Sequence, residues 1–476
     1  MKKLIIFIFI IAGISAQSQV KKWTLKECVD YALEKNINIK QAELDLDQSE
    51  INKKDAFGNF LPTFNASGSH SWNIGLNQDL TTGVLRNQTT QYTSFGVSSN
   101  VDIIKGLQNV NRLRVSNLSI LASQYQLENM KNDISLYVAN AFLQVLFNKE
   151  QIKVLSSQLE VTTKELERTQ ELIDAGVIPS GDLLEVQATL SSQEQQLVIA
   201  ENALFLSKIS LAQLLLITDY ETFDIAETEY LVPISEVLGQ SPEAIYNKAK
   251  ETRKEILIAE TNAEIAEKEL KISKGAKQPS LLGFYNYSTR ASYSDRVVGF
   301  ELDQNNPIQQ IGTVETTGDA VVSPNFNSII GGPDSMFNQF SLNDGHSFGL
   351  QLNVPIFNGL AISNNVKRNK INVERSKYLL EQEKLNLEST VYQAFNDAKG
   401  ALKAYEAAVK TLSAREQAFN YSKERYNVGL LNAFDFSQSQ NQYVAAQSEV
   451  VRTKYDFIFK LKVLEFYFGI PITDIN

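Results

Sequence analysis

The sequence predicts an α+β membrane protein built from a duplicated unit. Each chain would supply four β-strands, three chains would pool them into a trimeric twelve-stranded β-barrel, and a long α-helical barrel would continue the wall. Three observations predict this. Two constant offsets align the halves of the chain, each half carries a pair of alternating segments, and each half carries one very long stretch almost free of helix breakers.

Repeats come first, because a missed repeat misassigns the whole fold. With an offset of 217, Ala32 matches Ala249, Ile39 matches Ile256, Gly58 matches Gly275 and Pro62 matches Pro279. With an offset of 253, Ser94-Phe95-Gly96 matches Ser347-Phe348-Gly349 and Gly106-Leu107 matches Gly359-Leu360. Gly176 likewise matches Gly429, and Asp182 matches Asp435. The second offset holds without a gap from Ser94 to Asp182. The change between the offsets places one insertion in 294–346. That stretch is rich in Gly, Asn, Pro, Asp and Ser, and reads as an exposed loop. The copies are 19–240 and 241–476.

Residues 1–18 read as a signal peptide: Met1-Lys2-Lys3 is basic, Leu4 to Ile14 apolar, and Ser15-Ala16-Gln17-Ser18 is a cleavage region. Each copy then opens on a helix, 24–57 in the first and 242–274 in the second, where Pro242 suits the first turn. After Leu61-Pro62 the period changes to two. Phe64, Ala66, His70, Trp72, Ile74 and Leu76 fall on one face, Asn65, Ser67, Ser69, Ser71 and Asn73 on the other. Phe95, Val97, Val101 and Ile103 mark the returning strand. Copy two repeats the hairpin with Leu281, Tyr285, Tyr287 and Ala291, then Phe348, Leu350, Leu352 and Val354. A long helix follows over 107–175, with Val138, Ala141, Val145, Ile152, Leu155 and Leu159 spaced as a coiled-coil seam. Its counterpart covers 360–428, interrupted only by Gly400. Each would be roughly 100 Å long at 1.5 Å per residue. Turns at Gly176 and Gly429 end them. Shorter helices cover 183–217 and 436–468, and the mixed segment 218–240 makes a waist.

Without the signal lysines the chain has 43 basic against 55 acidic residues, a balance that repels nucleic acid. No uninterrupted apolar run of transmembrane length follows the signal, which excludes a membrane-spanning helix on that criterion. Insertion must then use strands closed into a barrel, because an open sheet edge in lipid leaves backbone groups unpaired. Four strands cannot close alone; three chains give twelve, a count wide enough to hold water. Cys28 is the only cysteine, and His70 and His346 lie far apart, so neither a disulfide nor a dedicated metal site is expected. No nucleophile–base pair, phosphate loop or metal-ligand spacing appears, so neither an enzyme nor a cofactor is expected. Trp72 with Tyr285, Tyr287 and Tyr293 reads as an interfacial aromatic belt or as ordinary sheet packing. Lys367, Arg368 and Lys370 read as headgroup contacts or as a solvated cluster.

Three motifs carry a family resemblance. Ser347-Phe348-Gly349-Leu350-Gln351-Leu352-Asn353-Val354-Pro355-Ile356-Phe357-Asn358-Gly359 leads into a long helix. Arg425-Tyr426-Asn427-Val428-Gly429 precedes Asp435, and Leu61-Pro62 opens the first strand. Together they resemble the TolC-like outer-membrane efflux proteins, the outer membrane factors of tripartite pumps. The resemblance implies a homotrimer set in outer-membrane lipid, with a helical tunnel crossing the periplasm. It implies docking to a periplasmic adaptor protein and an inner-membrane transporter, with passive passage of the cargo. It also implies adaptor contact at Gly176, Val177, Ile178 and Pro179 and at Gly429, Leu430, Leu431 and Asn432. The periplasmic gate would be ringed by Asp435. Gln438 stands where some members carry a second acid. Asp182 stands where a base of the other turn pairs in some members, and the expected base is Leu431 here. Helix N-terminal capping is the plain alternative for Asp182 and Asp435. Export of small toxic compounds is the leading reading; a duct for secreted polypeptides, metal export and a non-membrane coiled-coil protein stay open.

Overall fold

The computed structural model describes residues 21–78, 83–227, 232 and 235–472. The expected signal segment and Pro233 of the expected waist lie outside these residues. In chain order, the first half contains β1 (Lys22–Trp23), α1 (Leu25–Lys35), α2 (Ile37–Gly58), β2 (Thr63–Gln78), β3 (Leu85–Lys105), α3 (Gln108–Asp174), α4 (Gly181–Leu214) and β4 (Asp224–Ile225). A short 3₁₀ turn, Glu236–Gly239, leads to α5 (Pro242–Thr252), α6 (Lys254–Gly275) and β5 (Ser280–Ser292). Then come β6 (Arg296–Leu302), β7 (Ile308–Thr313), β8 (Ala320–Pro324), β9 (Phe326–Gly331), α7 (Met336–Leu342), β10 (Gly345–Asn353), α8 (Ala361–Asn427) and α9 (Ala433–Phe468). The chain divides into two compact units: a helical one (Met1–Ile51, Asn117–Glu267, Ile371–Asn476) and a sheet one (Asn52–Ser116, Lys268–Lys370).

In the helical unit, Thr24 caps α1. Its hydroxyl accepts from the Glu27 N–H while the Glu27 carboxylate accepts from the Thr24 N–H. The single helix expected over 24–57 is two helices. Asn36 leaves helical geometry (ψ 132°) and makes its own bonds: its Oδ1 accepts from the Asn38 N–H, and its Nδ2 donates to the Leu214 carbonyl. The helix expected over 242–274 breaks at the matching point, Arg253 (ψ 131°). No proline or glycine marks either break, so pattern alone did not show it.

Helices α3 and α8 are 67 residues each, and α4 and α9 are 34 and 36. Val138, Phe142, Val145 and Leu146 of α3 pack with Leu25, Val29 and Ala32 of α1 and with Ile458 of α9. A second core repeats the arrangement with Val391, Ala394 and Ala398 of α8, Ile245 and Ala249 of α5, and Leu464. Burying such a side chain stabilises by about 1.5–3 kcal/mol. The parallel pair β1–β4 sets Lys22 opposite Asp224 and Trp23 opposite Ile225. Asp224 lies 2.8 Å from the Lys149 ammonium and 2.9 Å from that of Lys208, and Lys149 also donates to the Ile225 carbonyl. Burial alone would raise the Asp224 carboxyl; the two ammoniums outweigh it and hold it below the usual range.

One expectation needs correction. Helix α4 is long and apolar enough, by length and composition, to cross a membrane, although no unbroken apolar run exists in it. Serines and glutamines interrupt the run without removing the average. Only 17 % of its most apolar window is buried, and Leu184, Val198, Ile199 and Leu206 are exposed. Leu211 and Ala212 enter this chain's own core, but most of the apolar window does not.

In the sheet unit the strand order is β10-β5-β3-β2, every pair antiparallel. The two hairpins share one register: Thr63 faces Asn100, and Ser280 faces Asn353. Strands β3 and β5 join them, Phe95 opposite Thr289, with a bulge at Ile103. The Val101 and Ile103 side chains occupy the space that a side chain on Gly283 would need. Both strand-to-helix turns take two successive left-handed residues: Gly106 and Leu107 (φ 55° and 58°), then Gly359 and Leu360 (φ 62° and 67°). The insertion read as an exposed loop is ordered secondary structure. It forms the two-stranded ribbons β6–β9 and β7–β8 and the short helix α7.

Candidate conduit wall and tip

Directly paired residues of an antiparallel sheet share a face, so the registers define both faces of the sheet. One face carries Phe64, Trp72, Ile74, Phe95, Tyr285 and Phe348. All are exposed, Ile74 by 82 % and Phe348 by 81 %. The opposite face carries Asn65, Ser69, Ser94, Ser98, Asn286 and Ser347, with the Ser69 and Ser94 hydroxyls 2.7 Å apart. A row of exposed apolar side chains of this kind marks a face that meets lipid or another chain. The belt candidates lie on the apolar face. His70 meets Trp72 edge-on with ring centroids 4.2 Å apart and Tyr293 at 5.7 Å, and Tyr285 contacts His346 Nδ1 at 2.9 Å. Within one chain, the edges β2 and β10 have no further strand partner among the described residues.

In the helical unit, two turns close the helical hairpins with the same bond pattern. Gly176 N–H donates to Ile173 and Val177 N–H to Leu172; Gly429 N–H donates to Tyr426 and Leu430 N–H to Arg425. Both glycines are left-handed (φ 72° and 74°), which is why glycine stands there. Gly176, Val177, Pro179, Gly429, Leu430 and Asn432 are exposed, and Ile178 and Leu431 are half-exposed. Asp435 and Gln438 are exposed on one face of α9, and Asp182 is half-exposed in the first turn of α4. Side-chain capping by the two aspartates is absent. Asn432 caps α9 by accepting from the Asp435 N–H at 2.8 Å, and Ser180, at the N-cap of α4, makes no side-chain bond.

Just behind the turns lies a cluster that sequence reading missed. Tyr426 stacks on Phe436 (centroids 4.6 Å, planes 7° apart), Phe436 on Phe419 (5.8 Å), and Phe419 on Tyr443 (5.2 Å, 4°). The signal was present: Phe419 and Tyr426, like Phe436 and Tyr443, stand seven residues apart, one helix face each. The Tyr426 hydroxyl lies 3.4 Å from Thr169 Oγ1 of α3. Beside it, the Arg168 guanidinium donates to the Asn427 side chain. Further from the turns, Gln440 Nε2 donates to Thr162 at 3.0 Å and Gln151 Nε2 to Ser448 at 2.8 Å. These bonds tie the first helical hairpin to the second.

A four-stranded sheet with one lipid-compatible and one water-compatible face, in a chain whose other unit is long helical hairpins, defines the class as an outer-membrane-type α+β protein. Residues 28–215 and 245–469 match the outer membrane efflux protein family, and the chain belongs to it. It is an outer-membrane protein that extends into the periplasm. Among characterised proteins, it is 22 % identical over 332 residues to outer membrane protein TolC of Vibrio cholerae. That match takes in 68 % of this chain but only 65 % of the relative's length. The fold is similar to that of the outer-membrane protein VceC of Vibrio cholerae, at a TM-score of 0.69 and 15 % identity, over 94 % of this chain and 96 % of that one. It is also similar to the outer-membrane channel OprN, at a TM-score of 0.71 and 16 % identity, over 94 % and 90 %.

Proposed function

We propose that three copies form the outer-membrane exit duct of a tripartite efflux system, passively conducting small toxic compounds to the exterior. The compounds would be handed on by an inner-membrane transporter through a periplasmic adaptor protein. The observation that carries this reading is the sheet with one apolar face, one polar face and two open edges. Lipid suits the first face and a water-filled lumen the second. Backbone groups at the edges need partners once they lie in lipid, and other copies of the same strands supply them. The exposed apolar side chains of α4 gain neighbours in the same assembly.

The duplication predicts how copies meet. The offset of 253 carries β3 onto β10, and that of 217 carries β2 onto β5. The pairing of β3 with β5 inside the chain is then repeated between β10 of one copy and β2 of the next. Phe95 opposite Thr289 becomes Phe348 opposite Trp72 of the partner subunit. Gly106 and Gly275, whose backbones approach so closely that a Cβ on either would meet the other's carbonyl oxygen, become Gly359 against Gly58 of the partner subunit.

At the tip, Asp435 would face the axis three times, with Gln438 behind it, and the ring would attract cations while repelling itself. Gly176, Val177, Ile178 and Pro179, with Gly429, Leu430, Leu431 and Asn432, present an exposed, mostly apolar surface to the adaptor. Asp182 borders it near Tyr426. Purified protein in planar bilayers tests the reading: uniform water-filled conductance from a heat-modifiable trimer is expected, and Asp435→Asn should weaken block by multivalent cations. A monomer without conductance contradicts it. Unchanged block removes Asp435 from the gate.

A further inference from the structure

The insertion leaves the sheet at the end opposite its helix junctions, since β5 begins beside α6 and β10 ends before α8. Its base is clamped. The Ser292 N–H donates to Gln339 Oε1, and Gln339 Nε2 donates to the carbonyls of Ser292 and Asp334, all at 2.8 Å. Arg296 pairs with Asp334, and the Thr289 hydroxyl donates to the Phe340 carbonyl. Beyond this clamp, β6–β9 and β7–β8 follow one another. Residues 303–307 stand opposite Asn325 alone, so the twelve residues of the return, 320–331, set the length of the arm at roughly 40 Å.

The β6–β9 register sorts its side chains. Leu302 faces Phe326, Phe300 faces Ser328 and Val297 faces Ile330, all on one side. Arg296, Glu301 and Asn327 are on the other, together with Gly299 and Ile329. The first side carries no charge, yet Phe300 is 70 % exposed and Phe326 55 %. A lone two-stranded ribbon is marginal in water, so this face needs a cover.

We infer that the cover is the same arm of neighbouring copies, the three arms packing apolar face to apolar face in a collar over the exit. The inference rests on the trimeric reading above. Reach favours it: a twelve-stranded mouth, at about 4.8 Å per strand and a tilt near 40°, is roughly 25 Å across. Arms about 40 Å long, rooted on so small a ring, meet unless all splay outward. Charge disfavours lipid as the cover. Residues 294–344 hold seven acids against Arg296 alone, and an anionic membrane surface repels such a segment. The acids lie on the far side of β6–β9 or in turns and peripheral segments, which leaves the apolar face free for its own kind.

Maleimide labelling of single-cysteine variants of the full chain in detergent and in outer-membrane vesicles tests this. Phe300→Cys lies on the apolar face and Glu301→Cys on the polar face, and light scattering reports the oligomer. In an intact trimer, Phe300→Cys should label at least roughly tenfold more slowly than Glu301→Cys and should link copies through a short bismaleimide. Equal labelling rates in an intact trimer overturn the collar. So does protection of Phe300→Cys that appears only in vesicles and yields no linked copies, since lipid is then the cover. A chain that is not trimeric overturns the duct reading itself.

Discussion

Glu165 is half-buried behind the tip turns, and its Oε1 has no hydrogen-bond partner. Burial raises its carboxyl above the ordinary glutamate range, against the opposing pull of Tyr426, Arg168 and Lys423. A raised folded-state value means that the folded tip binds the proton more tightly than the unfolded chain does. The stabilisation is therefore fully present below the ordinary glutamate range and is lost as pH rises through the raised value. Glu165→Gln should slow hydrogen exchange at the ends of α3 and α8 at neutral pH, and that advantage should shrink on acidification. An advantage that grows on acidification contradicts this. Tyr426→Phe removes the hydroxyl that joins α8 to α3 and should raise resting conductance in bilayers; an unchanged baseline removes Tyr426 from the closed tip. Two glycines separate chain from assembly. A Cβ on Gly275 would lie 2.3 Å from the Gly106 carbonyl oxygen, whereas one on Gly58 meets nothing within 4 Å. Gly275→Ala should therefore impair the chain itself. Gly58→Ala should leave the chain folded and weaken only the heat-resistant trimer, as native and denaturing gels will report.

The aromatic column is the element-scale counterpart of these contacts. Each stacked pair is worth about 0.5–1.5 kcal/mol beyond its burial. Phe436→Leu keeps an apolar side chain, gives up a little volume and loses two stacks, so proteolysis in the 428–433 turn should accelerate several-fold; unchanged cleavage means the column does not brace the tip. Long helices and alternating strands were legible because their periods run far past the noise of single positions. Gly176 and Gly429 marked turns, and the backbone adopts them with both glycines left-handed. Other features were illegible for physical reasons. The break at Asn36 is met by a bond to the distant Leu214 carbonyl and that at Arg253 by stacking on Phe466, and neither carries a breaker residue. The ribbon in 294–346 was hidden because its Gly, Asn and Pro content is that of a loop, while its pairing is set by register across distant residues. Asp182 and Asp435 invited a capping reading from their position, but Asn432, with its shorter route to the Asp435 N–H, takes the cap of α9.

At the scale of the whole molecule, the chain reads as an incomplete wall: open edges, an apolar sheet face and an apolar helix all await partners. Cys28 is buried and its thiol is pushed up to about 12, so the native cysteine stays silent in thiol chemistry on the folded protein. That permits a direct test of the claim that the junction between copies repeats the junction within the chain. The measurement is disulfide formation in the double variant Trp72→Cys with Phe348→Cys, with Phe95→Cys and Thr289→Cys as the within-chain control. The account predicts that oxidation converts the first variant into covalent dimers and trimers while the control closes within one chain. Closure of the control with no inter-copy product from the first variant, or linkage only after shifting one cysteine to Leu350, would contradict it.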